Sequence, residues 1–111
     1  MTEVTFYQKD EHVYRFRVDG HASFAEHGED VVCAAISMLT INTLNAIESY
    51  TDEPFKEICI NQKEGVIDVE FPRRKTGEYA PEAELLIKSM ILGLETVKEM
   101  YGEKYINILN K

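Results

Sequence analysis

VVCAAISMLTINTLNAIESY, residues 31 to 50, is the stretch on which the fold turns. Its apolar side chains recur at helical spacing, at Val32, Ala35 and Ile36, Leu39, Ala46 and Ile47, with Thr43 keeping step. The spacing predicts a helix from Val31 to about Tyr50, stopped before Asp52-Glu53-Pro54. The run without a charged residue, Val31 to Ile47, contains Ser37, Thr40, Asn42, Thr43 and Asn45, too polar and slightly short to read as a membrane span. On its N-terminal side, Val4 to Gln8 and His12 to Val18 are rich in Val, Phe and Tyr around a polar Gln8-Lys9-Asp10-Glu11, which predicts a hairpin closed by Gly20. Val13, Phe16 and Val18 do not alternate, so the register of the second strand stays open. Ala22 to Glu29, small and polar, reads as a loop.

On the C-terminal side, Phe55 to Asn61 and Val66 to Phe71 read as two further strands; Ile67, Val69 and Phe71 alternate with Asp68 and Glu70. Pro72 to Gly77 is a basic connection, and Pro81 stands where a first helical turn tolerates proline. Leu86, Met90, Leu94, Val97 and Tyr101 mark a second long helix, and Tyr105 to Leu109 a short final strand. The order ββαββα, with that last strand, predicts an α+β domain of two layers, two long helices packed on a small mixed sheet.

The chain has 111 residues, 44% hydrophobic and 29% charged, which predicts one globular domain over residues 1–111. Twelve Lys and Arg against twenty Asp and Glu leave a net charge of −8. A nucleic-acid binder needs basic density to displace counterions from phosphate, so that class is disfavoured, while an acidic surface attracts a basic protein or peptide. No basic start followed by an apolar stretch marks a secretory signal. Two cysteines, Cys33 and Cys59, are no disulfide framework, and a reducing cytoplasm is the expectation.

Chemistry concentrates in GHASFAEHGEDVVCAAIS, residues 20 to 37. Cys33 falls in the first turn of the predicted helix. With Asp30 as N-cap, the unpaired N–H groups and partial positive charge of the helix start favour a thiolate and can bind an oxyanion. The charge of Asp30 opposes this. A nearby histidine, His21, would activate the sulfur further. By residue pattern alone the bland reading stands beside this one: Cys33 a small buried hydrophobe, Asp30 a plain cap, His21 a turn residue. Metal binding by His21, His27, Cys33 and Cys59 lacks the short spacing of structural zinc sites, and no cofactor is implied. Cys59, between Ile58 and Ile60, reads as packing. Arg73-Arg74-Lys75 reads as a solvated loop, and Asp68 and Glu70 as outward-facing surface.

Gly20-His21-Ala22, Gly28, Asp30, Cys33-Ala34-Ala35 and Ser37 together resemble the signature of the ribosomal-processing cysteine protease family, Prp. The resemblance implies a homodimeric, cytoplasmic bacterial endopeptidase with Cys33 as nucleophile and His21 as base. Its substrate would be a basic large-subunit ribosomal protein with an N-terminal extension, cut beside an aromatic residue. Asp30, able to orient His21 or to cap the helix, and Ser37, able to contact His21, the sulfur or the Cys33 carbonyl, would support them, with Gly20 preceding the base. The competing class is a non-catalytic module docking on the same basic partner, with no membrane or nucleic acid involved in either case.

Overall fold

In the computed structural model, which describes residues 1–20, 27–61 and 64–111 and, over residues 27–30, the backbone alone, a five-stranded sheet carries two long helices. Strands β1 (Thr2–Lys9) and β2 (His12–Gly20) form the predicted hairpin, turned through Asp10 and Glu11 at φ 53° and 68°. The register slips between Tyr7 and Gln8: Tyr7 faces Arg15 and Gln8 faces Val13, which leaves Tyr14 as an extra residue. A bulge of this kind resets the side-chain parity of a strand. It explains why Val13, Phe16 and Val18 share the buried face although they do not alternate in the sequence.

Helix α1 (His27–Tyr50) crosses to β3 (Lys56–Asn61), which pairs antiparallel with β4 (Val66–Glu70), itself antiparallel to β2. After the single turn α2 (Pro72–Lys75), α3 (Pro81–Tyr101) leads to β5 (Ile106–Asn110), parallel to β1. The strand order β3-β4-β2-β1-β5 makes the sheet mixed, as expected. Every strand and helix read from the sequence is present, and among the described residues α2 is the one addition.

The core lies between the helices and one sheet face. Val4, Phe6, Phe16, Val18 and Val69 meet Val32, Ile36 and Ile47 of α1 and Ile87, Met90 and Leu94 of α3. Burying such side chains contributes roughly 1.5–3 kcal/mol each. Thr40 and Thr43 also lie in the buried row of α1; their hydroxyls donate to the carbonyls of Ile36 at 2.9 Å and Leu39 at 2.7 Å, which removes the cost of an unpaired donor. By length and composition Val31–Tyr50 could cross a membrane, contrary to the reading of its charge-free run as too polar and short; here it is the helix whose apolar row meets the sheet. The two helices touch closely at Gly93, where a Cβ would come within 2.8 Å of Leu39 Cδ2.

Three single-residue readings are corrected. Asp68 points away from the helices yet is fully covered, because Arg15 grips it through two hydrogen bonds of 2.9 and 2.7 Å and Arg17 through one of 3.0 Å. Burial pushes its carboxyl up, but the bonds from Arg15 and then Arg17 outweigh this and hold it below the ordinary range. Arg74, read as solvated, is wholly buried: Nε donates to the Val13 carbonyl at 2.6 Å and Nη2 to Glu84 at 2.8 Å. Glu84 also binds His12, whose ring stacks on Tyr79 at 3.8 Å. Cys59, read as packing, is exposed, since its strand is the sheet edge.

Candidate active site

One end of the sheet gathers the start of β1, the end of β2, the residue before β4 and the second turn of α1. Between them lies a cavity of about 160 Å³, lined by Thr2, Val18, Gly20, Cys33, Ala34, Ile36, Ser37 and Gly65. Backbone pairing fixes three of these. Thr2 stands opposite Gly20 in the hairpin and opposite Ile106 of β5, and its amide donates to the Tyr105 carbonyl at 2.9 Å. The Gly20 amide donates to the Gly65 carbonyl at 3.0 Å. Gly65 has φ +71°, and a Cβ there would lie 2.6 Å from the Gly20 carbonyl oxygen, so no other residue fits.

Cys33 is half-buried at the cavity wall, with Sγ 3.4 Å from Thr2 Oγ1. The hydroxyl and the thiol can each donate to the other, so Thr2 can stabilise a thiolate by donating to it. Ser37, one turn further, lines the same cavity and is exposed. The expectation that Cys33 and Ser37 share a helix face therefore holds, and Gly20 joins them.

The helix start differs from expectation. Helix α1 begins at His27, one turn before Val31, so residues 27–29 of the expected loop are helical. Asp30 is then the fourth helical residue and not the N-cap, and Cys33 is the seventh. An amide in the second turn is engaged by the carbonyl four residues earlier, and the end charge of a helix fades within its first turn. The helix start therefore does not act on Cys33, and the polar group beside its sulfur is the Thr2 hydroxyl. His21 and residues 22–26 of the loop lie outside the described residues, as do the side chains of His27 and Asp30. Chain connectivity alone makes His21 the next residue after Gly20, which lines the cavity.

Sequence reasoning missed Thr2 and Gly65. Thr2 lies 31 positions from Cys33 and meets it only through the β1–β2 register. Gly65 carried a signal, a glycine after Gln62-Lys63-Glu64 in a turn, but its closeness to Gly20 depends on the β2–β4 pairing. Among the described residues no group of three or more His, Cys, Asp or Glu could hold a metal ion.

Comparison with known proteins identifies the family. The family model described as Cysteine protease Prp matches residues 1–107. A ribosomal processing cysteine protease Prp from Bacillus subtilis is 37% identical over 95 residues, spanning 85% of this chain and 83% of that protein. The crystal structure of an essential ribosomal processing protease Prp from Staphylococcus aureus in complex with a substrate peptide superposes with a TM-score of 0.86 at 29% identity, covering 100% of both chains. The same protease with a covalently linked product peptide gives a TM-score of 0.83 at 29% identity, again over 100% of both chains. With its Gly20-His21 and Cys33-Ala34-Ala35 motif, a half-buried thiol at a small cavity and a match along almost its whole length, the chain belongs to the cysteine protease Prp family.

Proposed function

We propose that this chain is a cytoplasmic cysteine endopeptidase that removes the N-terminal extension of a large-subunit ribosomal protein, cutting beside an aromatic residue, so that the mature protein enters the ribosome. The observation that carries the reading is the Cys33 thiol at the wall of a cavity that also contains Gly20, the residue before His21. Cys33 attacks the scissile carbonyl and forms a thioester; His21 takes the thiol proton and returns it to the leaving amine, and water then hydrolyses the thioester. Thr2 steadies the sulfur from the opposite wall. Asp30 orients His21, and Ser37 borders the peptide. A basic ribosomal protein suits a chain of net charge −8. The working unit is a homodimer, which covers apolar side chains that one copy leaves exposed, among them Met38 at 67% and Leu85 at 69%.

The test is incubation with a purified large-subunit ribosomal protein bearing its N-terminal extension, read by mass spectrometry. The expected result is one cut at the extension by the wild-type chain, none by Cys33→Ala, and at least about a hundredfold slower turnover by His21→Ala. His27→Ala serves as the comparison, a histidine from the same segment without a motif match. A Cys33→Ala chain that still cuts, or a greater loss from His27→Ala than from His21→Ala, overturns the assignment.

A further inference from the structure

Three cavities follow one another down the same side of α1. The first is the cavity at Cys33 and Ser37. The second, of about 280 Å³, lies one turn on, between Ile41 and Leu44 of the helix and Ile60 and Ile67 of the paired strands β3 and β4. The third, of about 480 Å³, shares Glu48, Phe55 and Glu57 with the second and adds Asp52 and Glu53. Cys33, Ser37, Ile41, Asn45 and Glu48 stand at successive turns, so the three form a track along one helix face rather than scattered hollows. Gly65 and Ile67, two apart on the same side of the sheet, continue it on the opposite wall.

Chemistry changes along the track. Next to the thiol it is narrow and mixed, with Val18 and Ile36 beside the hydroxyls of Thr2 and Ser37. Its middle is apolar, with Ile41 38% and Ile60 42% exposed although both belong to types that bury when they can. Its far end carries acidic side chains: Glu48, Asp52 and Glu57 are exposed, while Glu53 is buried toward Arg74. The one neighbouring cation on β3, Lys56, stands opposite Glu70, which points to the other sheet face.

We propose that this track is an extended subsite for the substrate: a peptide in extended conformation, its scissile bond at Cys33, lays an apolar side chain between Ile41 and Ile60 and a basic side chain against Glu48 and Glu57. The inference rests on Cys33 marking the reacting end. Eight helical residues from Cys33 to Ile41 span about 12 Å and fifteen to Glu48 about 22 Å. At about 3.3 Å per extended residue, the apolar side chain lies roughly four residues from the scissile bond and the basic one about seven. Charge complementarity selects the occupant: an acidic end in a chain of net charge −8 repels a second copy of itself and attracts a lysine- or arginine-bearing segment.

Binding to the Cys33→Ala chain, followed by fluorescence anisotropy, tests this without requiring cleavage. The probes are labelled peptides extending about seven residues on each side of an aromatic cleavage site, with a lysine pair at either end or alanines in its place. The lysine peptide from one end should bind about five- to tenfold more tightly than its alanine counterpart at low salt, and the difference should shrink as salt rises past the Debye length of the contact. Glu48→Gln combined with Glu57→Gln should abolish the difference while the alanine peptide binds as before, which also shows that the variant is folded. Equal binding of all peptides overturns the subsite. So does a variant whose light-scattering mass halves with no change in peptide preference, because a second copy would then fill the track. Preserved lysine preference in a wild-type chain that cleaves nothing would instead count against the protease reading and leave the subsite standing.

Discussion

Cys33 is half-buried against Thr2, while Cys59 stands exposed on the edge strand, so access and the proposed protease chemistry point to different thiols. If access governed, iodoacetamide would modify Cys59 first. The proposed pairing of Cys33 with a histidine would reverse that order, because the thiolate is the reacting species. The expected outcome at neutral pH is faster labelling of Cys33 than of Cys59, read by peptide mass spectrometry. Cys59 reacting first, with Cys33 sluggish, would favour the non-catalytic docking module. The motif residues were legible at this scale because their types carry chemistry. The surroundings of Asp68, Arg74 and Cys59 were not, since each is decided by a partner more than ten positions away or by strand order: Arg15 and Arg17 for Asp68, Val13 for Arg74, the sheet edge for Cys59.

At the scale of elements, the hairpin, both long helices and the last strand follow from periodicity and turn residues. The start of α1 does not. His27-Gly28-Glu29-Asp30 is polar, contains glycine and ends in a residue that favours N-caps, so local preference signals a loop where the chain winds its first turn. Between strands β2 and β4, Asp68 with Arg15 and Arg17 is a pH-sensitive clamp. Its folded carboxyl lies below the ordinary value of 3.8, and that of Glu84, held by His12 and Arg74 against the opposing effect of burial, lies below 4.5. A depressed carboxyl contributes stability that is fully present above the unfolded value and is lost as pH falls through the folded one. The contribution of these two carboxyls to stability should therefore hold from neutral pH down to about 4.5 and decline in more acid solution. Asp68→Asn should cost about 1–2 kcal/mol at pH 7, discounted for the partial exposure of both arginines, and much less near pH 3. Urea midpoints at the two pH values check this, and an equal loss at both would show that the cost is one of packing.

For the whole molecule, the exposed apolar side chains bear on assembly. On α1, Val31 and Met38 are 46% and 67% exposed, and on α3, Leu85, Leu92 and Met100 are 69%, 65% and 71% exposed. The sequence signalled this excess, since α3 is apolar over most of its circumference; which residues α1 and α3 bury against each other was set by the close contact at Gly93. Light scattering at micromolar concentration should give roughly twice the chain mass of 12.8 kDa. A clean monomer would mean that these side chains face water.

Strand β1, which brings Thr2 to the thiol, has β2 on one side and β5 on the other. The second partner is made of residues 106–110, and the Thr2 amide itself is held by the carbonyl of Tyr105. During synthesis, which runs from the N-terminus, Thr2 emerges long before Ile106, its partner on β5. Translation must pass Asn110 before the wall behind Cys33 is complete, so a nascent chain carries this thiol long before it has the sheet to support it. A ribosomal processing protease thus completes the support of its cavity with a strand translated after every residue that lines it.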